Sequence, residues 1–185
     1  MPPALRKLAL TGHVASSVGW LGSVAVFLVL AVVGLTGRDP QRVRGAYLAM
    51  ETTGWFVIVP LAFASLLTGL VQSLGTTWGL FRHYWVLAKL ALTVLATFFL
   101  LLHMQVADQV ADVAARTSLS GSDLGGMRVQ LVFDAAAAVV VLLTTTALSV
   151  CKPRGVTRYG WRMQQAQRAN RAGGTAMDTA APARR

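Results

Sequence analysis

Acidic residues and cysteine are scarce in this chain. Its single cysteine, Cys151, excludes a disulfide scaffold and a metal cluster held by several thiolates. Only 7 Asp and Glu stand against 17 Lys and Arg, which gives a formal net charge of +10 over 185 residues. Because charged residues make up 13% of the chain and hydrophobic residues 55%, there is too little polar surface for a soluble basic protein that binds nucleic acid. The composition indicates a protein whose solvent is largely apolar.

Motifs that identify a reaction are absent as well. The sequence has no phosphate-binding glycine loop, no nucleophile elbow and neither an HExxH nor a CxxC metal motif. The sequence therefore assigns no catalytic residue, and whether the protein is an enzyme stays open.

Four apolar runs, almost free of charge, determine the expected fold. Each holds about 20 apolar residues, the length that an α-helix needs to cross a bilayer, and only helices satisfy every backbone polar group within one segment in lipid. We therefore predict an all-α fold, a transmembrane four-helix bundle in residues 1–151. Its helices are expected near 12–35, 53–75, 84–105 and 129–150.

Three details accompany this prediction. Pro60 is expected to kink the second helix, because proline removes a backbone hydrogen bond. The third helix is expected to continue to about Arg116. Residues 152–185 form a basic cytoplasmic tail, with a short surface helix predicted at 158–171 on anionic lipid and disorder beyond it.

The basic residues predict how the bundle is oriented. The N-terminus, the second loop and the tail together hold 11 Lys and Arg, whereas the first and third loops hold five. The positive-inside rule then places both termini in the cytoplasm. The net charge thus follows from orientation and from contact with anionic lipid, and it requires no nucleic acid as a partner.

Polar residues inside the predicted spans form a layer near the cytoplasmic end. His13 and Trp20 share one face of the first helix, Lys89 lies at a similar depth in the third, and Gln72 reaches that level in the second. The fourth helix brings Thr144, Thr145 and Thr146. A charge inside the membrane costs about 2.5–3.5 kcal/mol on insertion scales, which favours a small-ligand site here. Alternatively, His13 bonds a neighbouring helix and Lys89 extends to the headgroups.

A second polar cluster is expected near the outer end. His103 and Met104 come late in the third helix, and Asp134 comes early in the fourth. Imidazole, thioether and carboxylate groups are plausible copper ligands, and thioethers favour Cu(I). Alternatively, Asp134 pairs with His103, and the methionines fill gaps between helices.

Several segments resemble a family of small bacterial membrane proteins that is known only as a domain of unknown function. The resemblance covers roughly residues 5–163 and implies a multi-pass protein of the bacterial plasma (inner) membrane. It is carried by the segments TGHVASSVGWLG at 11–22, Pro60 with TGL at 68–70, WGL at 78–80 with YWVLAK at 84–89, and KPRG at 152–155 with RYGW at 158–161.

The first helix is also similar, more remotely, to that of two other groups. His13, Trp20 and Gly22, followed later by Trp85 and Lys89, resemble the copper-resistance D family and the membrane haem-containing protoporphyrinogen oxidases. The second resemblance implies haem b near His13 and electron transfer to quinone.

Three functions remain in view from the sequence. The leading one is an integral membrane protein that binds a small ligand, such as haem b, at His13, Trp20, Gln72 and Lys89, with His13 as the axial residue. The second is copper handling or transport at His103 and Met104. The third is a structural subunit that docks a partner membrane protein or a second copy of itself.

Overall fold

The computed structural model describes residues 3–75, 84–116 and 122–151, together with Thr157, Trp161, Arg162 and Gln165. The described chain is helical almost throughout and contains no strand. Its elements are α1 (Pro3–Thr36), α2 (Pro40–Thr53), a π-helical turn (Gly54–Ile58), α3 (Val59–Gly75), α4 (Tyr84–Arg116) and α5 (Ser122–Cys151).

Four helical segments are long and apolar enough to cross a membrane. They are Ala4–Thr36, Pro40–Leu74, Tyr84–Ala115 and Gly125–Cys151, the second of which combines α2, the π-helical turn and α3. The predicted all-α, four-span fold is therefore confirmed, and the chain is a multi-pass membrane protein.

The four spans run alternately up and down. α1 packs against α2, α3 and α5, and α4 packs against α2, α3 and α5, so the first and third spans lie diagonally across the bundle. One end of the bundle holds the beginnings of α1 and α4 and the last residues of α3 and α5, and we call it the terminal end. We call the other end the opposite end. The orientation predicted from charge would place the terminal end in the cytoplasm.

The core lies along one face of α1. Trp20, Val24, Phe27 and Ala31 are all buried and recur at the spacing of a single helical face. α4 contributes Met104, Ala107, Val110 and Ala114 to the same core. Many large apolar side chains remain exposed on the outside of the bundle, as expected for surfaces that face lipid: Val18, Val26, Phe98, Phe99 and Phe133 are examples.

Helix bounds differ from the prediction chiefly in the second span. Its helix begins at Pro40, 13 residues before the predicted start at 53. The Asp39 side chain accepts a hydrogen bond from the backbone N–H of Gln41, and Pro40 occupies the first turn, where its missing N–H costs nothing. The Asp-Pro pair was the sequence signal for this start. The predicted extension of the third helix is confirmed, because α4 ends at Arg116.

The second span is irregular just before Pro60. The N–H of Val59 bonds the carbonyl of Gly54, five residues back, and closes the π-helical turn. Pro60 has no N–H with which to bond the carbonyl four residues before it, so the helix ladder is already interrupted at this position. The Met104 thioether packs directly on Gly54, where a Cβ would collide with it.

The basic tail predicted at residues 152–185 lies almost entirely outside the described residues. Of the surface helix predicted at 158–171, the structure describes Trp161, Arg162 and Gln165, all helical. The N–H of Trp161 donates to the carbonyl of Thr157 at 2.9 Å.

Candidate functional site

His13 is bonded through both of its ring nitrogens. Nδ1 lies 3.1 Å from the Ser65 carbonyl and 3.2 Å from Thr68 Oγ1, and Nε2 lies 3.4 Å from Lys89 Nζ. A carbonyl oxygen can only accept, so Nδ1 carries the proton in the neutral ring and Nε2 presents its lone pair to the lysine. The imidazole is therefore held between α3 and α4.

Gly69 allows the His13 ring to lie close to α3. A Cβ at Gly69 would stand 3.0 Å from His13 Cε1 and 3.4 Å from Nδ1. The glycine therefore provides the space in which the imidazole reaches the Ser65 carbonyl.

Lys89 joins three spans at the same level. Its Nζ donates to Ser149 Oγ on α5 at 2.6 Å, in addition to its contact with His13, and Ser149 Oγ in turn donates to the Thr145 carbonyl at 2.8 Å. We call His13, Ser65, Thr68, Lys89 and Ser149 the terminal-end site. All four spans contribute to it.

Ser149 was not predicted from the sequence. Thr144, Thr145 and Thr146 were expected to be the polar residues that the fourth helix contributes to this layer. Thr144 donates to the Val140 carbonyl, and Thr145 and Thr146 both donate to the Leu142 carbonyl, so these hydroxyls satisfy their own helix backbone. Ser149 lies one turn after Thr145, a position that the helical period could have indicated.

The two other predicted site residues lie apart from this contact. Gln72 Nε2 donates to the Ala9 carbonyl at 2.9 Å, one turn nearer the end of the bundle, and ties α3 to α1. Trp20 is buried, 3% exposed, about two turns deeper than His13. The structure thus brings His13 and Lys89 together, whereas Gln72 and Trp20 lie on either side of them.

The charge on Lys89 is not balanced by an acid among the described residues. The one ion pair within that part of the chain joins His103 and Asp134, toward the opposite end. Lys89 is half-buried, and the partners of its Nζ are a neutral imidazole and a hydroxyl. A cation with only neutral partners in an apolar bundle favours a negatively charged or strongly accepting ligand.

Haem does not fit His13 in this arrangement. An axial histidine must direct a free ring nitrogen at the iron, but Nδ1 is bonded to α3 and Nε2 faces the Lys89 ammonium group at 3.4 Å. The iron would have to take the place of Nζ, so Lys89 would have to move. Haem b remains a prediction from resemblance, without support from these contacts.

His103 and Met104 do not converge on a common point. His103 Nδ1 lies 2.9 Å from Asp134 Oδ2, and its ring meets the edge of Phe27, with centroids 5.7 Å apart. The Met104 sulfur instead packs on Gly54. Within the described ranges, no group of three or more His, Cys, Asp or Glu side chains is arranged to hold a metal. Copper binding remains a prediction.

An arginine cluster at the opposite end was not predicted. Arg128 donates through Nε to the Tyr47 hydroxyl at 2.8 Å and through its terminal nitrogen to the carbonyls of Gly34 and Leu35. Its guanidinium also lies 5.8 Å from the centre of the Tyr47 ring. We call Arg128, Tyr47, Gly34 and Leu35 the arginine clamp. In the sequence Arg128 was counted only as a loop charge.

Comparison of the whole chain with protein-family models, with curated proteins and with solved structures finds no match in any of the three. Function must therefore be argued from the arrangement of the residues themselves.

Proposed function

We propose that this membrane protein binds a small anionic amphiphile, through a carboxylate or phosphate group, at the terminal-end site. The observation that carries the proposal is the position of Lys89, an ammonium group within a span whose two partners, His13 Nε2 and Ser149 Oγ, are neutral acceptors. An ammonium group has three N–H donors, so one remains for a ligand.

The depth of Lys89 suits the headgroup of an amphiphile. It is the sixth residue of α4, about 7.5 Å from the start of that helix, and it is half-buried. A charged group at this depth lies within reach of the interface, while its alkyl chain would run along the apolar outer surface of the bundle. This proposal keeps the ligand site expected from the sequence but replaces haem b at His13 with an anion at Lys89.

His13 would position the lysine for this ligand. Because its Nδ1–H is anchored on the Ser65 carbonyl, its Nε2 lone pair has a fixed direction and holds Nζ between α1 and α5. In this role the imidazole fixes the ammonium group through a hydrogen bond and makes no bond to the ligand.

The proposal is tested with three probes that share a twelve-carbon chain: laurate, dodecyl phosphate and the uncharged dodecanol. Thermal unfolding of the purified protein is measured in a neutral detergent with each probe. Saturation to about 100 times Kd stabilises a protein by about 2.7 kcal/mol, which corresponds to a rise of about 5 °C or more in Tm. We expect laurate, dodecyl phosphate or both to produce this rise and dodecanol to produce none.

Two variants make the test specific. Lys89→Met should abolish the response to the anions, and Lys7→Met, which removes an exposed lysine at the beginning of the same end, should retain it. Equal responses to dodecanol and to the anions, or a full response in Lys89→Met, would refute the proposal. Which of the two anions acts distinguishes a fatty acid from a phosphate headgroup.

The haem hypothesis is examined with the same preparation. A Soret band in the visible spectrum that disappears in His13→Ala would establish haem and would require Lys89 to move. If the purified protein shows neither a Soret band nor an anion response and contains no copper, the structural-subunit hypothesis is the one that remains.

A further inference from the structure

Two buried polar atoms in the centre of the bundle have no hydrogen-bond partner among the described residues: Trp20 Nε1 and His103 Nε2. Trp20 is 3% exposed and the His103 side chain is 10% exposed. An unpaired polar group in an apolar interior costs about 1–3 kcal/mol, so two of them in one small bundle call for a partner that the described side chains do not supply.

The two atoms have opposite hydrogen-bonding character. An indole N–H can only donate. The carboxylate of Asp134 accepts from His103 Nδ1, at 2.9 Å, which leaves Nε2 as an acceptor in the neutral ring. A hydroxylic molecule that accepts from Trp20 and donates to His103 would satisfy both atoms.

Trp20 and His103 lie on the two spans that face each other across the bundle. The ring of His103 contacts Phe27, and Trp20 lies seven residues before Phe27 on the same face of α1, about 10 Å along the helix axis. An axial separation of that length is spanned by two or three water molecules, since each hydrogen bond covers about 2.8 Å.

The two side chains supply the ends of such a chain. Trp20 provides a donor and His103 an acceptor, and the water molecules between them bond one another. Each water then has at least two of the two to four polar partners that buried water usually has.

We infer that the centre of the bundle, between α1 and α4, binds a short chain of water molecules that links Trp20 to His103. The site lies deeper than the terminal-end site and is independent of any ligand there. Asp134, the partner of His103, has a side chain that is 35% exposed and lies toward the opposite end of the bundle.

The first test observes the water directly. The protein is labelled with ¹⁵N-tryptophan in detergent micelles, and the indole resonance of Trp20 is identified by its loss in Trp20→Phe. We expect a water cross-peak to that indole proton and its loss in His103→Phe. Thr144→Val, which removes an exposed hydroxyl bonded only to its own helix, should retain the cross-peak. The absence of a water cross-peak at Trp20 in the wild-type protein would overturn the inference.

A second test does not depend on assigning a resonance. If water joins the two side chains, Trp20→Phe and His103→Phe should be coupled, because either single change leaves the other group and the water incompletely bonded. The double variant should then lose less stability than the two single variants lose together. The difference should be about tenfold in the folding equilibrium constant. Additive effects would contradict a shared water chain.

Discussion

Two cations inside the spans, Lys89 and Arg128, are half-buried, and their surroundings differ. Arg128 lies in the arginine clamp, where a hydroxyl and two backbone carbonyls accept its hydrogen bonds and an aromatic ring lies beneath it. Lys89 lies in the terminal-end site with one imidazole and one hydroxyl. Neither has an acidic partner among the described residues, so charge alone does not separate them.

What separates them is the kind of acceptor. The carbonyls of Gly34 and Leu35 belong to the last turn of α1, where no intrahelical N–H is available, so Arg128 completes a helix end that otherwise lacks donors. The acceptors of Lys89 are side chains that are also bonded elsewhere, since Ser149 donates to its own helix and His13 is anchored by Nδ1. From this comparison we expect the fold to depend on Arg128, whereas under the proposed function Lys89 binds a ligand.

The largest effect is expected at Arg128. Arg128→Met removes the guanidinium donors of the clamp, and the Tyr47 hydroxyl and two carbonyls lose the donor that they share. We therefore expect the free energy of unfolding to fall by about 3 kcal/mol, the scale of hydrogen bonds to charged groups. Arg128→Lys should recover only part of this, because an ammonium group cannot reproduce the fork of the guanidinium. Denaturation in mixed micelles measures both.

The matched control for this change is Arg42→Met. Arg42 is exposed on α2, near the same end of the bundle, and no described contact depends on it. A loss at Arg42 equal to that at Arg128 would mean that the clamp contributes nothing beyond its charge.

The next effect tests how tightly the clamp is packed. A Cβ at Gly34 would stand 2.6 Å from the ring of Tyr47, which is 1% exposed and has no room to move. We expect Gly34→Ala to cost about 1–3 kcal/mol of unfolding free energy, the usual range for overpacking. Gly54→Ala should cost less, since its obstacle is the flexible end of Met104.

Gly22 provides the reference for these two glycines. Nothing lies within 4 Å of a Cβ built there, so Gly22→Ala should be neutral or stabilise the helix by up to about 1 kcal/mol. If Gly22→Ala destabilised the protein as much as Gly34→Ala, the close approach of Tyr47 to α1 would not be the cause.

For Lys89, the second cation of the comparison, we expect little change in the free energy of unfolding on substitution. Lys89→Met removes a cation that has no acidic partner and replaces it with an apolar side chain of similar length. We therefore expect the unfolding free energy without ligand to stay within about 1 kcal/mol of the wild type, since the cost of inserting the charge is also removed. The same denaturation measurement checks this value. A loss as large as that at Arg128 would make Lys89 a structural residue as well.

The sequence was sufficient for the spans and for the shared depth of His13 and Lys89. Four apolar runs, almost free of charge, predicted the four helices. Because helix rise per residue is constant, His13 and Lys89 were expected at a similar depth in the first and third spans. The extent of the second span was missed, although Asp39 and Pro40 carry the signal for its start.

The remainder depended on how each helix is rotated about its axis. The rotation of α5 brings Ser149 to Lys89, whereas Thr144 bonds its own helix backbone. The rotation of α4 places Met104 on Gly54, apart from the pair formed by His103 and Asp134. In a span that is apolar on all sides, hydropathy contains little information about rotation. The arginine clamp was missed for the same reason, since it depends on a glycine of α1 lying opposite Tyr47.

The smallest predicted effect concerns the geometry of the terminal-end site. Gly69→Ala would place a methyl group 3.0 Å from His13 Cε1, close enough to push the ring by a few tenths of an ångström and to lengthen its contact with Lys89. Stability should change by less than about 1 kcal/mol, because the ring is only half-buried and can yield. The rise in Tm produced by laurate or dodecyl phosphate should nevertheless be reduced, since the ammonium group loses its fixed direction.

Gly12→Ala is the control, because its nearest neighbour would be Thr68 Cγ2 at an ordinary 3.8 Å. An unchanged anion response in Gly69→Ala, together with its loss in Lys89→Met, would mean that Lys89 binds the ligand without being positioned by His13.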